Sequence, residues 1–147
     1  MLARLVSSPI MDELCRAKVV HRDVEFAMRW PRPGKEGPAT MIRGIIDLLF
    51  QDQDGGWHVW DYKTNDFPTK ASDEQLLAPY EFQLGLYAHA VTEWFGEPPR
   101  ELALIAIRPK TRRIVLPWSE ERWLRLKSRI GASIDAYQAS LLVPESY

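Results

Sequence analysis

The sequence predicts an α/β domain, with helices packed on a mixed sheet in the order α-β-β-β-α-β-β-α. Three observations carry this. Three strand-like runs follow one another with turn or loop signals between them, as in an antiparallel meander. A helix-length amphipathic segment then separates the third run from the fourth. The fourth run, Leu102 to Ile107, is apolar almost throughout, as expected of a strand covered on both faces.

Each element has its own warrant. Ser8-Pro9 reads as an N-cap and first helical position, opening a short helix to about Ala17. From Val20 to Trp30 the chain alternates, with Val24, Phe26, Met28 and Trp30 on one face, which marks a half-buried strand. Pro31 to Pro38 is a Pro- and Gly-rich loop. Met41 to Gln51 is the second strand and Trp57 to Lys63 the third, with Asp54-Gly55-Gly56 as a hairpin signal between them. Asn65 to Ser72 reads as a polar loop. A helix is expected from about Pro79 to Phe95, with Tyr80, Leu84, Tyr87, Val91 and Trp94 on its apolar face. Gly96 suits its C-terminal cap and Pro98-Pro99 blocks continuation. A fifth strand is expected from Arg113 to Trp118, and Ser119 caps a last helix to about Leu142.

The 147 residues fit one domain over 1–147, and a chain of this size buries enough surface to need no staple. A single cysteine, Cys15, excludes an internal disulfide, a cysteine-rich zinc site and an iron–sulfur cluster of four cysteines. No run approaches a membrane span and no leader opens the chain, so no membrane partner and a cytoplasmic location are expected. The net charge of −1 argues against avid non-specific DNA binding, although Arg108, Lys110, Arg112 and Arg113 cluster. The stretch from Lys110 to Arg113 sits at a hairpin tip, where it could touch phosphates or form a solvated turn.

The chemistry-bearing stretch is Asp61-Tyr62-Lys63. An acid and a lysine two apart on a strand share a face. Asp47 interrupts a second strand-like run, Ile45-Ile46-Asp47-Leu48-Leu49, where a carboxylate is costly unless paired or bound to metal. A lone D-x-K is usually a surface ion pair, so hairpin parity matters. A loop at Gln53-Asp54-Gly55 places Asp47 opposite Asp61, and one at Asp54-Gly55-Gly56 places it opposite Lys63. Opposed Cβ atoms are then about 4.5–5.5 Å apart. A two-residue loop sends Asp47 to the far face. With odd parity, Asp47, Asp61 and the backbone carbonyl of Tyr62 offer oxygen ligands to Mg²⁺ or Mn²⁺. Lys63 would orient or deprotonate a water, or neutralise charge on a phosphate.

Gly44-Ile45-Ile46-Asp47, Trp60-Asp61-Tyr62-Lys63-Thr64 and Gln83-Leu84-Gly85-Leu86-Tyr87 together resemble the nuclease domain of RecB/AddA-type helicase–nucleases, within the PD-(D/E)XK superfamily. Val24-Glu25-Phe26 is similar to that family's first core strand. The resemblance implies a restriction-endonuclease-like core and Mg²⁺- or Mn²⁺-dependent exonuclease-type hydrolysis of DNA in recombination and repair. It implies Asp47 and Asp61 as metal ligands, Lys63 as the catalytic lysine, and Gln83 and Tyr87 as residues bordering the site. Glu25 is the nearest spare acid, and alternation on a strand favours a solvent-facing role for it. The family's usual histidine on a helix before the first strand has no counterpart in His21, His58 or His89; His58 is expected to be structural, on the face opposite Asp61. No P-loop motor motif occurs. The chain therefore reads as beginning after the histidine helix, with residues 1–18 a short and truncated element and its possible partner a helicase subunit. The alternative reading is a catalytically impaired module that docks on a helicase or guides DNA.

Overall fold

The computed structural model describes residues 9–30 and 40–142, with side chains to residue 137. The expected Ser8 cap and the Pro31 to Pro38 loop lie outside the described residues. The elements are α1 (Pro9–Cys15), β1 (Val19–Trp30), β2 (Thr40–Gln51), β3 (Trp57–Asp66), α2 (Asp73–Leu77), a 3-10 turn (Ala78–Tyr80), α3 (Glu81–Phe95), β4 (Glu101–Arg108), β5 (Arg112–Leu116) and α4 (Glu120–Leu142). The five strands form one sheet in chain order. β3 and β4 run parallel, joined by the α2–α3 crossover, and every other neighbouring pair is antiparallel.

Three elements differ from expectation. β3 continues past Lys63 to Asp66, because Asp66 still pairs with Arg108 beyond an irregularity after Lys63. The helix expected from Pro79 is preceded by α2, which a capping box opens. Ser72 Oγ accepts from the Gln75 N–H, and the Gln75 side chain accepts from the Ser72 N–H. β5 ends at Leu116, two residues short of Trp118. The caps at Gly96 and Ser119 are found as expected: Gly96 has φ 78°, and Ser119 Oγ accepts from the Arg122 N–H at 3.1 Å.

Each sheet face carries its own apolar layer. On one face, α3 buries Leu84, Tyr87, Ala88 and Val91 against Ile46, Leu49, Val59, Leu102, Leu104 and Ile114. Each of the larger aliphatic side chains there contributes roughly 1.5–3 kcal/mol relative to exposure. Trp94, expected on that buried face, is 42% exposed at the helix end and meets Phe26 edge-on. On the other face Leu48, Phe50, Trp60, Ala103 and Ile105 pack with Leu14 of α1.

Strand β2 changes faces along its length. Ile42 and Ile46 pack under α3, whereas Leu48 and Phe50, of the same parity, pack on the α1 side. The switch falls at Asp47. Its cross-strand neighbour Asp23 has φ 51°, and the β1–β2 pairing skips both residues. A local irregularity of this kind re-aims the side chains that follow it along the strand. Upstream, Gly44 lies opposite Phe26, whose ring atoms would stand 2.6 and 2.8 Å from a Cβ at that position. The glycine of the G-x-x-D stretch therefore makes room for an aromatic ring that covers it.

Candidate active site

The hairpin has the odd parity on which the site depends. Leu48 pairs with Trp60 and Gln51 with Trp57, and the Asp52 N–H donates to the Gly56 carbonyl, leaving Gln53-Asp54-Gly55 at the tip. That register faces Asp47 toward Asp61. Ladder pairing of β2 with β3 stops at Leu48, so the strands part where the two acids meet. The Tyr62 N–H, left without a ladder partner on that side, donates to Asp47 Oδ2 at 2.9 Å. In an extended strand the N–H and C=O of one residue face the same edge, so the Tyr62 carbonyl also turns toward Asp47.

Asp61 is 2% exposed. Lys63 Nζ lies 2.8 Å from its Oδ2, yet that buried oxygen accepts no aligned hydrogen bond. Burial, followed by the contact with Asp61, pushes the Asp47 carboxyl up to about 6, against the pull of the Tyr62 N–H and Lys63. Two crowded carboxylates with a spare buried oxygen form a hard-oxygen donor set with a deficit of positive charge, which fits a divalent cation such as Mg²⁺ or Mn²⁺.

Helix α3 supplies the wall opposite the acids. Lys63 Nζ donates to Gln83 Oε1 at 3.4 Å, and Gln83 Nε2 donates to Tyr87 Oη at 2.8 Å. Burial, then the charges of Asp61 and Asp47, raise the Tyr87 phenol to about 12, so it stays protonated. The structure thus brings Asp47, Asp61, Lys63, Gln83 and Tyr87 into one cluster. It adds Tyr80, whose ring centroid lies 4.5 Å from Lys63 Nζ. Periodicity assigns Tyr80 only to an apolar face; its place on the 3-10 turn before α3 supplies the missing information. Glu25 is exposed on β1 and pairs in register with Ile45.

The three histidines lie elsewhere. His21 is exposed and stacks on Trp57, and His89 packs between Trp30 and Trp123. His58 is buried on the α1 side of the sheet, stacked on Phe50 at 4.6 Å. Glu13, His58 and Glu101 there present ligand atoms within 4.8 Å of one another. This cluster is tied into an ion network on the sheet face away from Asp47 and Asp61. Arg113 bridges Glu13 and Glu101, Trp60 Nε1 donates to Glu101 at 2.7 Å, and His58 Nε2 meets Asp52 Oδ2 at 2.7 Å. Although burial opposes its charged form, the carboxylates of Glu101 and Asp52 raise the His58 pKa. The basic run also divides. Arg112 turns to Asp73 on the α3 side, whereas Arg113 turns to the far face.

The PD-(D/E)XK nuclease superfamily profile matches residues 3–140. The chain belongs to the PD-(D/E)XK nuclease superfamily. Among curated relatives of this superfamily member, an ATP-dependent helicase/nuclease subunit of Heliobacterium modesticaldum is 36% identical over 100 residues, covering 61% of this chain and 7% of its own length. The protein of the same name from Carboxydothermus hydrogenoformans is 30% identical over 112 residues, covering 72% of this chain and 9% of its own length. The chain thus spans less than a tenth of those relatives. A Eubacterium rectale protein of solved structure, provisionally described as an exonuclease, superposes with a TM-score of 0.58 at 12% identity, over 92% of this chain and 49% of that one. That likeness shows a shared fold.

Proposed function

We propose that this PD-(D/E)XK domain is a DNA nuclease that hydrolyses phosphodiester bonds with Mg²⁺ or Mn²⁺, with exonuclease-type action in recombination and repair. The observation that supports this most directly is the convergence of Asp47, Asp61 and Lys63 where β2 and β3 part. Asp47, Asp61 and the Tyr62 carbonyl would hold the cation, which when bound polarises the phosphate and lowers the pKa of its water. Lys63 sits among a carboxylate, a carbonyl and an aromatic face, surroundings that suit an ammonium. That favours donation to charge building on the phosphate over proton abstraction. Gln83 holds Lys63 in place, and the Tyr87 hydroxyl anchors Gln83. The curated relatives carry helicase/nuclease names, which supports a helicase as partner. No helix among the described residues is long and apolar enough to cross a membrane.

The test is cleavage of single- and double-stranded DNA with Mg²⁺ or Mn²⁺, comparing wild type with Asp61→Ala and Lys63→Ala. Loss in both variants is expected, and equal activity in all three overturns the mechanism. A second reading, a non-catalytic module docked on a helicase, is favoured by the placing of all three histidines away from the acids and by exposed Trp94 and Phe95. Calorimetry separates the two: Mn²⁺ binding that depends on Asp47 and Asp61 supports the nuclease.

A further inference from the structure

Beyond Lys63, the face of the sheet that carries the acids continues into a recess. Lys63 pairs with Ala106 of β4, and Ala106 pairs with Arg112 of β5. The three therefore form a row across the sheet, with strands about 4.8 Å apart. Ala106, buried in the layer under α3, forms part of the floor of the recess. The recess, of about 240 Å³, is lined by Phe67, Thr69, Ala106, Arg108, Lys110 and Arg112. That is roughly eight times the liquid volume of one water, enough for a phosphodiester with its sugar.

The charges in this recess are unevenly committed. Arg112 is ion-paired with Asp73. Arg108 and Lys110 are exposed, and neither pairs with a carboxylate among the described residues. Arg108 shares the parity of Leu102, Leu104 and Ala106, which pack under α3, so it lies on the Lys63 side of the sheet. Two residues of strand separate it from Ala106, about 6.6 Å.

We propose that this recess is a phosphate subsite, in which Arg108 and Lys110 bind a backbone phosphate of the DNA strand beside the bond to be cut. The assignment rests on the nuclease reading for the position of that bond. The subsite orients the strand, because a phosphate contact fixes register without reading sequence. It also bears on how a domain of net charge −1 engages DNA: Arg100, Arg112, Arg113 and Arg122 are each held by a carboxylate, whereas among the described residues no carboxylate holds Arg108 or Lys110.

The experiment is fluorescence anisotropy with labelled single-stranded oligothymidylate in EDTA, where no cleavage occurs, over a salt series. Arg108→Ala/Lys110→Ala is compared with Arg16→Ala/Lys18→Ala. The control pair removes the same charge near the hairpin tip, where the Gln53 side chain donates to the Arg16 carbonyl. That is the opposite end of β3, about 30 Å away. Affinity is expected to fall about tenfold for the first pair, as for loss of charge-assisted hydrogen bonds. The slope of log affinity against log salt should become shallower by about 0.7 for each phosphate no longer neutralised. The control pair should stay within about twofold of wild type. Equal losses in both pairs, or no loss in either, overturn the subsite. With Mg²⁺, the first pair should raise KM and leave kcat unchanged. A wild type that binds but never cleaves would sink the nuclease reading, while the anisotropy result still decides the recess.

Discussion

In metal-free protein, Asp47→Asn should stabilise the fold. The native carboxyl is raised from 3.8 to about 6 by burial and by Asp61. A carboxyl whose folded-state pKa is raised binds its proton more tightly in the folded state than in the unfolded state. Stability is therefore lost as pH rises from about 4 through about 6. With those two values, the penalty is on the order of 1–2 kcal/mol near pH 5 and about 3 kcal/mol near pH 8, less whatever solvent screening removes at this half-buried position. Asparagine keeps an oxygen that can accept from the Tyr62 N–H, and it removes the charge. The stabilisation should thus grow by roughly 1 kcal/mol between those pH values. Denaturant unfolding in EDTA, wild type against Asp47→Asn at both pH values, measures the difference. The same variant should lose Mn²⁺ binding, the familiar exchange of function for stability at a strained site. A destabilised Asp47→Asn, or a difference that does not change with pH, would refute the account of two acids competing for one space.

Other expectations follow from single contacts. Gly44→Ala sets a methyl against the Phe26 ring, which Tyr87 and Trp94 hold edge-on, and should cost about 1–3 kcal/mol in chemical denaturation. Gln83→Leu removes the link from Lys63 to Tyr87; kcat should fall about tenfold with KM little changed, as when a positioning interaction is removed. His58 has a raised pKa, so its charge stabilises the fold at low pH, and that contribution is lost as pH rises through the folded-state value. Glu101 and Asp52, held at about 2, act in the opposite sense: their contribution is present above about pH 4 and fades as pH falls toward 2. His58→Gln should accordingly flatten the decline in thermal stability between about pH 6 and 8 without altering DNA cleavage.

The central residues were legible in the sequence because a hairpin ties position to parity. Once the tip is odd, Asp47 must face Asp61, and Lys63 must follow on the same side. Gln83 and Tyr87 were legible as site residues only through the resemblance carried by Gln83-Leu84-Gly85-Leu86-Tyr87; periodicity alone puts Tyr87 on the apolar face. Tyr80 was not, since its approach to Lys63 depends on the break between the 3-10 turn and α3 rather than on period. Nor was the face switch at Asp47, because the left-handed conformation of Asp23 leaves no mark in hydrophobic alternation. Helix α2 did leave a signal, Ser72 followed by Gln75, but it is only five residues long and shows no periodic face. The far-face network joins Glu13 to Arg113 across 100 residues of chain. No local pattern encodes such a pairing; only the sheet order does.

The bond from the Tyr62 N–H to Asp47 has an evolutionary consequence. Where β2 and β3 separate, the side chain of Asp47 stands in for a missing rung of the ladder. An apolar replacement would orphan a half-buried amide, at a cost of about 1–3 kcal/mol. A descendant that had abandoned catalysis would therefore still be under pressure to keep an aspartate or asparagine at this position. Lys63 carries no such duty to the backbone; what ties it down is the buried Asp61 carboxylate, so a lineage that loses one of that pair should lose the other as well.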